Sequence, residues 1–194
     1  MLRVVNLEEI QNLLLQVPGI VELGDKGEFG FVSSVKNWLT HMEIVLKSNK
    51  LSVSANVAAL RGYLVSSEKG VIPADISFVG RVSKRKVREA TASHSISSAV
   101  EIVSEKISKD IERVEEANRV LRQLVCIAKR SGVVFDLPSD KNFGDALKSI
   151  WSKMSKDQVL AQGVVSVEGL VGPHDALILL DRTITADKQK GESK

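Results

Sequence analysis

Aromatic side chains make up only 4% of this 194-residue chain, which also has one cysteine, four prolines and three histidines. So few rings leave the core to Val, Ile, Leu and Ala, which suits helix packed on helix. The lone Cys126 excludes an intrachain disulfide framework and fits a reducing compartment. No stretch approaches the ~20 consecutive apolar residues that cross a bilayer. The opening Met1 to Asn6 lacks the charged segment and apolar run of a secretory signal. The expectation is a cytoplasmic protein with no membrane partner.

Metal-binding patterns are equally sparse. Three histidines and one cysteine, none at i,i+4 from another, do not furnish a usual zinc set, so no metal and no other cofactor is expected. His174 beside Asp175 is only two adjacent residues, and His41 reads as a helix-surface histidine. The glycine-rich Gly24 to Gly30 lacks the Gly-Lys-Ser/Thr that closes a phosphate loop, and Asp25 and Glu28 would repel phosphate. There is no Gly-x-Ser-x-Gly elbow for a serine nucleophile. Cys126, with no histidine near it in sequence, reads as a small buried hydrophobe.

What the chain does have is apolar periodicity. Hydrophobic residues are 43% and charged residues 26%, enough for a packed core. Asn6 with Glu9 reads as a capping box opening a helix through Ile10, Leu13, Leu14 and Val17, which Pro18-Gly19 would stop. Residues 21–30 then read as a loop. Phe31, Val35, Trp38, Met42 and Val45 stripe a helix over 33–47. Val53, Val57, Leu60 and Leu64 stripe another over 52–68, where Ala55, Ala58, Ala59 and Gly62 form a small-residue face open to close approach. From Ile96 through Val100, Val103, Ile107, Ile111, Val114, Ala117, Leu121 and Leu124 to Ala128 the spacing stays at three or four, almost a heptad seam. A helix over 95–131 would be roughly 55 Å long at the α-helical rise, more than a small domain needs. Pairs Glu105–Lys109 and Glu115–Arg119 flank it at i,i+4. Glu101 with Glu105 and Glu112 with Glu116 read as solvent-facing carboxylates, since the Glu-x-x-His of di-metal bundles is missing.

The last third is shorter-grained. Asp140 would cap a helix carrying Phe143, Leu147, Ile150, Trp151 and Met154. Ser155 with Gln158 reads as a capping box for a short helix to 162, and Pro173 suits the first turn of a final helix. Segments 71–80 and 164–171 are left open between strand and loop. These elements predict an all-α fold, an irregular helical bundle organised around one long central helix, with room for a few short strands. It forms one helical domain over 1–183, within which 136–183 can stand as a small lobe, followed by a disordered tail over 184–194.

Charge is uneven along the chain. Residues 81–132 carry 12 basic and 7 acidic side chains, whereas the flanking segments are each net −1. Arg81, Lys84, Arg85, Lys86 and Arg88 place five cations within eight positions, a patch that attracts phosphate by charge alone. No aromatic interleaves with them in sequence, so a base-stacking platform is missing there. The bland counterpart is a solvated helix start.

Arg88-Glu89-Ala90-Thr91-Ala92-Ser93-His94 sets an arginine six positions before a histidine. This spacing resembles the arginine-to-histidine signature of HEPN-type helical-bundle ribonucleases. That resemblance implies His94 in proton transfer and Arg88 on the phosphate, with paired motifs across a dimer cleaving RNA. It covers seven residues, and Glu89 stands where the family's usual polar residue follows the arginine.

Two functions are therefore expected to compete. The first is a non-enzymatic assembly protein, joining itself as a homo-oligomer or a protein partner through the long helix or the small-residue face. The second is an RNA-binding or metal-independent RNA-cleaving bundle using the 81–94 segment.

Overall fold

The computed structural model describes residues 1–73, 76–78, 82–133 and 143–192, the last six as backbone only. The fold is all-α. Its helices are α1 (Val4–Leu14), α2 (Val17–Asp25), α3 (Phe31–Ser48), α4 (Ser54–Glu68), α5 (Lys84–Arg130), α6 (Phe143–Lys156), α7 (Ala161–Val171) and α8 (Pro173–Glu192). No strand occurs among the described residues. They divide into two compact units, a first lobe of Leu2 and Val4–Ser108 and a second of Met1, Arg3 and Lys109–Lys194. The 47-residue α5 contributes its first part to one lobe and its remainder to the other.

In the first lobe, α3 is the hub. It packs most extensively on α4 and also meets α1 and α2. Its buried face is Phe31, Val35, Trp38, Leu39, Met42 and Leu46, the expected stripe broadened by Leu39 and Leu46 but without Val45, which is only half-buried. The Trp38 indole N–H donates to the Leu13 carbonyl at 2.7 Å, satisfying a buried polar group as the ring is withdrawn from water. On α4 the inward residues are Val57, Leu60, Leu64 and Ser67. Arg61–Glu43 and Lys36–Glu68 pairs link α4 to α3 at 2.8 and 2.9 Å, each worth only tenths of a kcal/mol to ~1 kcal/mol at such exposure. Ser83 caps α5, its hydroxyl accepting from the Lys86 N–H. Ser95 Oγ donates to the Leu60 carbonyl, tying α5 to α4.

The second lobe packs α6, α7 and α8 on one another. Leu147, Ile150, Trp151 and Met154 of α6 are buried as the sequence pattern expects, whereas Phe143 is only half-buried. Trp151 donates to Glu168 on α7 at 2.7 Å. Along α5, Ala117, Leu121, Leu124, Val125 and Ala128 are buried. Leu124 packs where Gly163 of α7 has no side chain. At the start of α8, buried Asp175 pairs with Arg3, a carboxylate at a helix N-terminus where the macrodipole favours it.

Several expectations are corrected. Pro18-Gly19 does not end a helix; Pro18 lies in the first turn of α2, so much of 21–30 is helical. Helix α1 begins at Val4, ahead of Asn6, so the Asn6–Glu9 capping box is not formed at its start. Segment 164–171 is helix, because Leu160, Val164, Val167 and Val171 bury one face at helical spacing, which overrides the β-branched preference of the valines. The box at Ser155 is replaced by Asp157, whose carboxylate accepts from the Val159 and Leu160 amides. Arg119 pairs with Glu116 rather than Glu115. Cys126 is exposed, not buried. Helix α8 runs on to Glu192, through residues the sequence assigned to a tail. In 71–80 the described positions 71–73 and 76–78 carry no regular structure, and the Asp140 cap falls outside the described residues.

Candidate functional site

The basic segment forms the first turns of α5. Arg81 lies outside the described residues. Lys84 and Lys86 are exposed, and neither forms an ion pair among the described residues. Arg85 is committed to structure: its Nε donates to Glu89 at 2.6 Å, and Nη2 donates to the Gly27 carbonyl at 3.0 Å. Its guanidinium carbon also lies 4.9 Å from the centroid of the Phe29 ring. Gly27 turns with φ 66°, a backbone that glycine adopts without strain, and this aims its carbonyl at Arg85.

Phe29 is the feature the sequence reading missed. It is 91% exposed, at the turn between α2 and α3. With Glu28, Val32, Arg85, Arg88 and Glu89 it lines a shallow hollow of about 300 Å³. An aromatic ring therefore does sit among the cations, supplied from 56 positions away. The local signal was a phenylalanine set between polar residues and glycines in Gly27-Glu28-Phe29-Gly30.

Arg88 and His94 do not converge. Six residues of α-helix separate them by about 9 Å along the axis and about 120° around it. Buried Thr91, Ala92 and Ser95 occupy the stripe between them. Arg88 faces the Phe29 hollow, whereas His94 is half-buried and does not line it. Within one copy, then, the seven-residue motif does not place proton-transfer and phosphate-holding groups on one point.

A second concavity lies between α1 and α3. Leu13 and half-buried Val45 form its floor, with Val5 (49% exposed) and Ile44 (59% exposed) as apolar walls. Glu8, Glu9 and His41 stand among the lining residues, and the volume is about 720 Å³. Residues 4–25, which make α1 and α2, contain Glu8, Glu9, Glu22 and Asp25 and no lysine or arginine. The small-residue face of α4 offers less: Ala55, Ala59 and Gly62 are exposed, and nothing lies within 4 Å of where a Gly62 side chain would begin.

Among the described residues, no three His, Cys, Asp or Glu side chains gather where they could hold a metal ion. His174 is hydrogen-bonded with Arg3 at 3.1 Å beside Asp175. No single helix there is long and apolar enough to cross a membrane. No family model, curated protein or solved structure matches this chain.

Proposed function

We propose that this chain is a non-enzymatic helical interaction protein that assembles with itself through the α1–α3 groove. The observation carrying this reading is the pair of exposed aliphatic walls, Val5 and Ile44, facing across an open concavity with an apolar floor. Clustered exposed apolar surface of this kind marks interaction sites, whereas singly scattered hydrophobes do not. The dispersal of Arg88 and His94 also supports a binding role over a catalytic one.

The test is mass by light scattering after size-exclusion chromatography, over a range of concentrations. Wild type is expected to grow in mass with concentration, and Ile44→Glu to elute as a monomer with unchanged helical circular dichroism. An oligomer indifferent to Ile44→Glu would place the contact elsewhere.

The exposed ring of Phe29 beside Arg85 and Arg88, at the start of a helix that also exposes Lys84 and Lys86, favours a second reading, single-stranded RNA binding. Stacking on an aromatic contributes about 1–3 kcal/mol per base. Three phosphate contacts would give a slope of about −2 in log affinity against log salt. On this reading a triple Lys84→Glu, Lys86→Glu, Arg88→Glu variant loses oligonucleotide binding in fluorescence anisotropy. Binding that is flat with salt and survives the triple change would remove it.

A further inference from the structure

We propose that the Phe29 tip of one copy seats in the α1–α3 groove of a second copy, so that the chain joins itself head to tail. The proposal rests on the reading of the groove as an assembly surface and names its occupant.

The tip is built to project. Phe29 is almost fully exposed, yet its turn is held by the Arg85 contacts to Gly27, to the ring and, through Glu89, back to α5. A ring presented on a fixed turn loses little conformational freedom when it docks. Aromatic anchors of this kind carry a disproportionate share of interface energy.

The groove has the complementary chemistry. It provides an apolar floor and walls from Val5, Leu13, Ile44 and Val45, in a space of about 720 Å³ that exceeds a phenyl ring. Charge complements in the same sense. Arg85 and Arg88 flank the ring on its α5 side, and Lys84 and Lys86 are exposed on the same first turns of α5, whereas the groove carries Glu8 and Glu9 on α1, a helix with no basic residue. Glu28 is the tip's acidic group outside the Arg85–Glu89 pair, and the groove's His41 offers it a donor.

Tip and groove also occupy different stations on the first lobe. Val32, beside the ring, and Ile44, in the groove wall, are twelve residues apart on α3, about 18 Å along the axis. One copy can therefore offer its tip to one neighbour and its groove to another. Such a contact is heterologous, and it propagates as a ring or an open chain.

The deciding experiment mixes two defective full-length proteins. Phe29→Ala keeps the groove and loses the tip; Ile44→Glu keeps the tip and loses the groove. Both positions are exposed, so circular dichroism and melting are expected to match wild type for each. Alone, each is expected to associate at least about thirty-fold more weakly than wild type in sedimentation velocity. Mixed, they should form a 1:1 heterodimer that stops at two copies, because one intact tip meets one intact groove. If Phe29→Ala assembles like wild type while Ile44→Glu does not, the occupant is wrong and the groove reading survives. Failure of the mixture to pair, with both single variants monomeric, indicates a symmetric contact and also overturns the proposal. A wild type monomeric at every concentration removes both readings. If that monomer instead binds a 20-nucleotide single-stranded RNA and loses it on Phe29→Ala, the tip is a nucleic-acid surface.

Discussion

Trp38→Ala is expected to lower the stability of the first lobe by about 3–5 kcal/mol, among the largest single-residue losses in the chain. The ring is 2% exposed on the hub helix, in line with Val35, Leu39 and Met42, so truncation opens a cavity that rigid helices close only in part. Its indole N–H is bonded to the Leu13 carbonyl, near the end of α1, and that bond fixes where α1 hands the chain to α2. Trp38→Phe separates the two contributions: it keeps most of the ring and loses the donor. The Leu13 carbonyl still accepts from the Gln16 amide at 3.2 Å, so this milder change should cost about 1–2 kcal/mol. Urea unfolding followed by circular dichroism at helical wavelengths measures both. With a slope of about 1–3 kcal/mol per molar urea, the alanine variant moves the midpoint by one to several molar units. A shift no larger than that of the phenylalanine variant would mean the cavity collapses and the hub is softer than its packing implies.

The same hub explains which parts of the fold were legible in the sequence. Helices α3, α4, α5 and α6 each bury a stripe of large aliphatic or aromatic residues at spacings of three and four, and each was read to within a few residues except at the start of α5. The misses share a physical cause. Helix α2 has no fully buried residue, so no stripe announces it, and the Pro18-Gly19 pair reads as a stop when the proline in fact opens the next helix. More than half of helix α7 is valine and glycine, whose local preferences oppose helix, and it is helical because tertiary packing supplies what propensity withholds.

The candidate surfaces were less legible than the core, for a different reason. A core stripe repeats along one segment, whereas the α1–α3 groove is made by residues from two helices more than twenty positions apart. Val5 and Ile44 look like ordinary helical hydrophobes until the fold leaves them outside. The Phe29–Arg85 contact spans 56 positions, and Arg85 and Arg88 could be named from sequence without any sign that a ring stood beside them. Cys126 failed in the same way. Flanked by Val125 and Ile127, it has burial-prone neighbours, but the rotation of α5 turns it to solvent.

Gly163→Val is expected to destabilise the second lobe by about 2–3 kcal/mol, through overpacking rather than through backbone freedom. A Cβ added at Gly163 would lie 2.5 Å from Leu124 Cδ2 and 3.1 Å from its Cδ1 and Cγ. Leu124 is itself buried, so it has little room to rotate away, and relief requires either an eclipsed side chain or separation of α7 from α5. Gly163→Ala meets the same contact but gains about 1 kcal/mol of helix propensity, so its net loss is smaller. Gly169, on the same helix, has nothing within 4 Å and serves as the control: Gly169→Ala should stabilise by up to ~1 kcal/mol. Trp151 belongs to this lobe and Trp38 to the other, so in a Trp38→Phe background the remaining fluorescence follows the second lobe through urea unfolding. The pairing with Leu124 has its own signature. Leu124→Ala alone opens a cavity, but combined with Gly163→Val it supplies the space the new side chain needs. The double variant should therefore lose at least ~1 kcal/mol less than the two single losses added together. Strict additivity, or a Gly163→Val loss equal to that of Gly169→Val, would show that α7 does not depend on its close approach to Leu124.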